Sequence, residues 1–191
     1  MRRNLTQVTP PAEFVPLDAV KGYLNVAHDD DDELIQRLIN AAVAKLDGTD
    51  GLLGRCLRPQ VWRMSIDGFP CGDIAIPLPP LRSVDTITYL GRGGATETLD
   101  PGSYAVAGVG GEGRIVPDTR WPETSGRPES VTVTFSAGYD TVPFDIAQAI
   151  FQMVWTWYDE RGVTALPTGA TATMPNGFDA VVTAWKVRGF G

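Results

Sequence analysis

The sequence is poor in the residues that enzyme chemistry most often uses. Its 191 residues include one histidine, His28, and two cysteines, Cys56 and Cys71. A single histidine cannot build a histidine metal cluster within one subunit. A Cys–His or Ser–His pair would have to draw His28 out of an acidic, solvated turn. The cysteines form no CxxC pair and the opening residues Met1–Gln7 are polar rather than a secretory signal, so two unpaired thiols in a reducing cytoplasm are expected. No stretch approaches the roughly 18 apolar residues of a membrane helix. Basic charge is short as well: 16 Lys and Arg stand against 23 Asp and Glu, a formal net charge of −7. A dedicated nucleic-acid binder shows the opposite balance, whereas an acidic wall repels phosphate and lets a duplex slide past. The expectation is a protein that is not an enzyme and uses no cofactor, metal or membrane.

What is present reads as a globular chain. Hydrophobic residues make up 43% and charged residues 20%, and 21 Gly with 15 Pro point to many turns and hence to β-structure. Residues 1–16, with three prolines, read as an extended arm. Leu17–Leu24 has a short helical pattern that Asp18 can cap. Leu34, Ile35, Leu38, Ile39, Ala42, Val43 and Leu46 recur along one face of a longer helix, expected from about Asp30 to Asp47. From Pro59 the period changes to two: Trp62, Met64 and Ile66 alternate with polar neighbours, as do Ile74, Ile76 and Leu78. Further strands are expected over Val84–Leu90, Ser103–Ala107, Arg114–Pro117 and Val131–Ser136, in a small sandwich or barrel. Helical spacing returns after Pro143, where Ile146, Ala149, Ile150, Met153, Val154 and Trp157 make one apolar face and Phe151 and Trp155 widen it. A strap rich in Gly, Thr and Pro comes next at 162–177, and Phe178, Val181, Val182 and Trp185 recover helical spacing. The fold expected is α+β, a helical body with an inserted antiparallel β-domain and a C-terminal tail. Its parts are an arm at 1–16, a helical part at 17–58, a β-rich insertion at 59–140, a closing helix at 141–161 and a strap with a docking tail at 162–191.

Three motifs invite a chemical reading. In His28-Asp29-Asp30-Asp31-Asp32-Glu33 the contiguous carboxylates lack the alternation and the glycine of a calcium loop. A helix N-terminus welcomes carboxylates, and Asp30 with Glu33 has the spacing of a capping box. Gly108-Val109-Gly110-Gly111-Glu112-Gly113 fits G-x-G-x-x-G, but a dinucleotide site needs a helix after it, and here the next segment is strand-like and ends in Pro117. A hairpin loop is the expectation. Among the five tryptophans, Trp155 and Trp157 are expected in the core, and Trp121, in a loop, is the one to test for ligand stacking.

Several segments together resemble tailed-phage head–tail connector proteins, also called head-completion or adaptor proteins, with relatives in prophages and gene transfer agents. The resemblance runs through Leu17–Val26, the acidic run and Leu34–Ala42, through Gln60–Met64, Ile76–Val84 and Val131–Tyr139, and then through Pro143, the helix ending Trp157-Tyr158, and Pro175–Arg188. It implies a ring, commonly of about twelve copies, beneath the portal protein at the head–tail junction of the virion, assembled in the host bacterial cytoplasm. The partners implied are the portal, a neck, stopper or tail-completion protein, further copies of the chain, and DNA that passes without specific binding. It also implies that the C-terminal segment docks on the portal, which makes Phe178, Val181, Trp185, Arg188 and Phe190 the docking candidates. Other readings left open by the residues are another neck or tail part, a small binding module using the β-domain and Trp121, and an enzyme with an unrecognised site.

Overall fold

A computed structural model describes residues 3–160 and 177–187. Two compact units divide the chain, a sheet unit of Met1–Ala12 with Arg55–Asp140 and a helical unit of Glu13–Gly54 with Thr141–Gly191. The fold is α+β with antiparallel sheets, as expected from the change of period along the sequence.

In the sheet unit, strands β1 (Arg3–Thr9), β2 (Gln60–Ile66), β4 (Leu81–Leu90), β5 (Thr96–Thr98) and β8 (Val131–Ala137) form one sheet in the order β1-β2-β8-β4-β5. A smaller sheet has the order β3-β7-β6, from β3 (Ile74–Ala75), β6 (Tyr104–Ala107) and β7 (Arg114–Pro117). All strand pairs are antiparallel. In β2 and β8 every second side chain is buried, and their register sets Trp62 opposite Phe135 and Met64 opposite Val133. Those residues share one core with Ile74, Ile76 and Ile115 of the second sheet and with Leu81, Ile87 and Trp121. The chain turns out of β8 at Gly138, where φ is +123° and an added Cβ would lie 2.0 Å from the Arg58 carbonyl oxygen.

Two expectations about the strands change, and one further strand is unexpected. The N-terminal arm is extended, but over Arg3–Thr9 it is an edge strand of the sheet unit, paired along β2. Its side chains are almost all exposed, so no apolar stripe announced it. The same is true of β5, whose three residues are all exposed. The alternation Ile74, Ile76, Leu78 is fully buried, yet only Ile74–Ala75 is strand. Pro77, Pro79 and Pro80 have no N–H to give a ladder.

In the helical unit, α1 (Leu17–Leu24), α2 (Asp32–Leu46), α3 (Phe144–Asp159) and α4 (Phe178–Trp185) carry the predicted apolar faces. Ile35, Ile39, Ala42 and Leu46 of α2 are buried, as are Ile146, Ala149, Ile150, Met153 and Val154 of α3. Asn25, in the left-handed conformation, stops α1. Pro16 rather than Asp18 is the N-cap of α1, with no side-chain cap bond, and Asp18 lies in the first turn. No helix among the described residues is long and apolar enough to cross a membrane.

Candidate docking surfaces

The acidic run occupies the connection from α1 to α2 and divides its carboxylates among separate tasks. Asp31, not Asp30, is the N-cap of α2, and its side chain makes no cap bond to the helix. It instead accepts a hydrogen bond of 2.6 Å from the Tyr158 hydroxyl of α3. The expected Asp30–Glu33 capping box therefore does not form: Asp32 and Glu33 lie in the first turn, and Asp30 precedes the cap with its side chain 96% exposed. The surplus of carboxylates let tertiary partners choose among neighbours that local spacing could not rank.

Lys21 is the partner that spacing did not reveal. Its stem is buried in the helical unit, and its ammonium emerges 2.7 Å from Asp29 and 2.6 Å from Asp32. The hydrogen bond to Asp29, then that to Asp32, raises the Lys21 pKa above the usual lysine range. The same ammonium holds the Asp29 carboxyl below its ordinary value. A lysine eight residues before the acidic run, on the buried face of α1, was the available signal. His28 stays half-exposed, with Asp30 its nearest acid at 3.9 Å. Among the described residues no three His, Cys, Asp or Glu side chains stand close enough to share an ion. The turn is a clamp between α1, α2 and α3.

The expected docking residues separate. Phe178 is 2% exposed and anchors α4 within the helical unit, so its ring is not presented to a partner as it stands. Val181 and Trp185 are half-buried, and Arg188 and Phe190 lie outside the described residues. After α4 the Val187 N–H donates 2.9 Å to the Leu53 carbonyl, which fastens the chain to the connection after α2.

The tryptophan expectations also divide. Trp155, expected in the core, is 50% exposed, and Phe151 and Trp157 are half-buried. At about 100° per residue, Phe151 and Trp155 point away from the face formed by Ile146, Ala149 and Met153. They do not widen the buried stripe; they lie opposite it. In the sheet unit Trp121 is buried, stacks on Phe69 with ring centroids 4.9 Å apart, and donates its Nε1–H to the Gly72 carbonyl at 2.7 Å. One ring face and the indole N–H are thus committed within the unit.

The glycine-rich segment is the hairpin loop between the antiparallel strands β6 and β7. Two of its N–H groups are already used, Gly110 N–H donating to the Leu81 carbonyl at 2.8 Å and Gly111 N–H to the Gly108 carbonyl at 3.0 Å, and the Gly111 carbonyl accepts from Leu81 N–H at 3.0 Å. At Gly108, with φ of +75°, an added Cβ would lie 2.1 Å from the Glu112 carbonyl oxygen. Beside the loop is an open depression of about 340 Å³ lined in part by Leu81, Arg82, Val109 and Asp140. Its charged groups bind one another, with Arg82 Nη1 2.6 Å from Asp140.

No family model matches this sequence, and no curated protein matches it. Solved structures do. A chain from the neck of an empty GTA particle, computed with C6 symmetry, superposes with a TM-score of 0.76 at 22% identity, covering 98% of both chains. A chain from the virion of a native gene transfer agent (GTA) particle gives 0.76 at 20% identity, covering 98% of this chain and 97% of that one. A chain from the neck of a native GTA particle, computed with C12 symmetry, gives 0.65 at 21% identity, covering 96% and 98%. The described residues therefore have the fold of chains in gene transfer agent necks and virions, consistent with the head–tail connector resemblance carried by the sequence.

Proposed function

We propose that the protein is a structural adaptor in the neck of a tailed phage or phage-like particle, located at the head–tail junction. It forms a ring beneath the portal, offers the platform for the next neck or tail component, and surrounds the DNA channel. The observation that carries this reading is the fold match, which covers 96–98% of this chain against neck and virion chains. Solved necks with sixfold and twelvefold symmetry support a ring, and twelve copies is the number the adaptor reading expects. An acidic protein with a net charge of −7 suits a wall that DNA passes without sticking. In this reading the helical unit is the body of the ring and the sheet unit its insertion. The chain from α4 onward docks on the portal, with Phe178 as internal anchor and Val181, Trp185, Arg188 and Phe190 as contacts. The function needs no catalysis and no cofactor.

Native mass spectrometry and negative-stain imaging with and without the cognate portal ring test this. Twelvefold rings seated on the portal, lost when residues 186–191 are removed, are the expected result. A chain that ignores the portal and binds the tail end instead overturns the adaptor assignment in favour of another neck or tail part.

A further inference from the structure

The outward pole of α3 is aromatic where a solvated helix would be charged. Phe144, Gln148, Phe151 and Trp155 succeed one another at spacings of four, three and four residues, which places them in one row opposite the buried face. Phe144 is 79% and Trp155 50% exposed. Tyr23 of α1, itself 42% exposed, extends the row sideways, its ring centroid 5.5 Å from that of Phe151. Aromatic side chains carry about 150–250 Å² each, so the fractions left open amount to roughly 300–400 Å² of apolar surface. A stable interface uses about 800 Å² on each side. The row is thus of the size of the apolar centre of one such interface.

A second surface of the same unit complements it. Along one flank of α2, Leu34, Leu38, Ala41 and Lys45 repeat the same spacing, with Leu34 and Leu38 half-buried and Ala41 and Lys45 exposed. Exposed Arg37 borders this flank one turn beyond exposed Glu33, and Lys45 ends it, whereas the aromatic row of α3 is bordered by exposed Asp145 and Asp159. One surface is apolar with acidic margins and the other apolar with a margin that is net basic toward its C-terminal end, on different helices. Such a pair cannot be satisfied by a two-fold contact of one patch with itself. It suits a head-to-tail contact, which closes into a ring when the rotation permits.

We infer that the aromatic row of α3 in one copy packs on the Leu34–Lys45 flank of α2 in the next copy, and that this contact joins the helical units of the ring. The inference rests on the neck-ring reading and names the surface through which copies meet.

Two full-length chains test it, one carrying Ala41→Cys and the other Gln148→Cys, each with the exposed Cys71 changed to Ser, mixed at high concentration and oxidised mildly. Disulfide-linked heterodimers should predominate over either homodimer. Adding Phe144→Ser and Trp155→Ser to the Gln148→Cys chain should cut their yield by about tenfold or more, while that chain melts as the wild type does. Homodimers as abundant as heterodimers, or a yield indifferent to the serines, overturn the inference. So does the absence of heterodimers both in free solution and on the portal. Portal-bound rings that persist in the Phe144→Ser, Trp155→Ser protein refute this contact and leave the adaptor reading standing. Row-dependent heterodimers from a chain that ignores the portal do the reverse.

Discussion

In the sheet unit Phe69 and Trp121 stack on each other and the indole N–H is bonded internally, whereas in the helical unit Phe144 and Trp155 stand open to solvent. The sheet unit has its own core, drawn from both sheets, and turns its large side chains toward it. The helical unit buries the inner faces of α2 and α3 and keeps aromatic surface outside. The exposed part of an aromatic ring on an outer pole adds nothing to the burial that stabilises the single chain. By this contrast the sheet unit keeps Phe69 and Trp121 against each other, while the helical unit leaves Phe144 and Trp155 on its surface.

Emptying the sheet core puts the contrast under the greatest strain. Phe135 is fully buried on the central strand β8, between β2 and β4. Phe135→Ala removes a large side chain from a packed interior and should cost about 3–5 kcal/mol. Urea unfolding combined with amide exchange should show protection lost in β2, β4 and β8 while α2 and α3 keep theirs. Equal loss in the helices would mean that the units fold as one block and that the contrast is false. Gly138→Ala acts at the end of the same strand. It adds a Cβ where φ is +123° and the Arg58 carbonyl blocks the way. The blocking atoms are backbone and the 2.0 Å approach must open by about 1 Å or more, so the expected loss is about 3 kcal/mol, at the lower end of that for Phe135→Ala. A stability unchanged in urea unfolding would show that the turn adapts without strain.

The same physics decides how much of the molecule is legible in its sequence. Elements with one buried face are legible, because burial imprints a period of two on β2 and β8 and of about 3.6 on α2 and α3. Elements without a buried face are not: β1 and β5 are held by backbone pairing, which leaves no pattern in Thr96, Glu97 and Thr98. The loop at Gly108–Gly113 is legible from the segment behind it, a strand ending in proline. The position of Trp155 is legible as well, although composition misleads: an aromatic residue reads as core, yet at about 100° per residue Trp155 lies opposite Ile146 and Met153. The choice among Asp29, Asp30, Asp31 and Asp32 is the least legible of all. It depends on Lys21 and Tyr158, eight or more residues away from the carboxylates they bind.

That choice yields the prediction with the smallest effect, and it probes the contrast from the helical side. Asp29 has a folded pKa held below its ordinary value by the Lys21 ammonium, while in the unfolded chain it titrates near about 3.9. The ion pair therefore contributes stability that is present above about pH 4 and is lost as the pH falls through the lowered folded value. Lys21, with its pKa raised, holds its charge through neutral pH and loses its contribution only in strong alkali, above the unfolded value of about 10.4. Neutral solution thus has the full Lys21–Asp29 pair, and acid weakens it. Because the Asp29 side chain is 88% exposed, water and salt screen the pair and the loss is modest. Urea midpoints measured from about pH 7 down to about pH 3 should decline, and the carboxyl resonance of Asp29 should titrate below that of an unpaired aspartate. Lys21→Met should lower the midpoint at neutral pH and flatten the decline. A Lys21→Met protein that weakens in acid as steeply as the wild type would remove the clamp from the account of how α1, α2 and α3 are held.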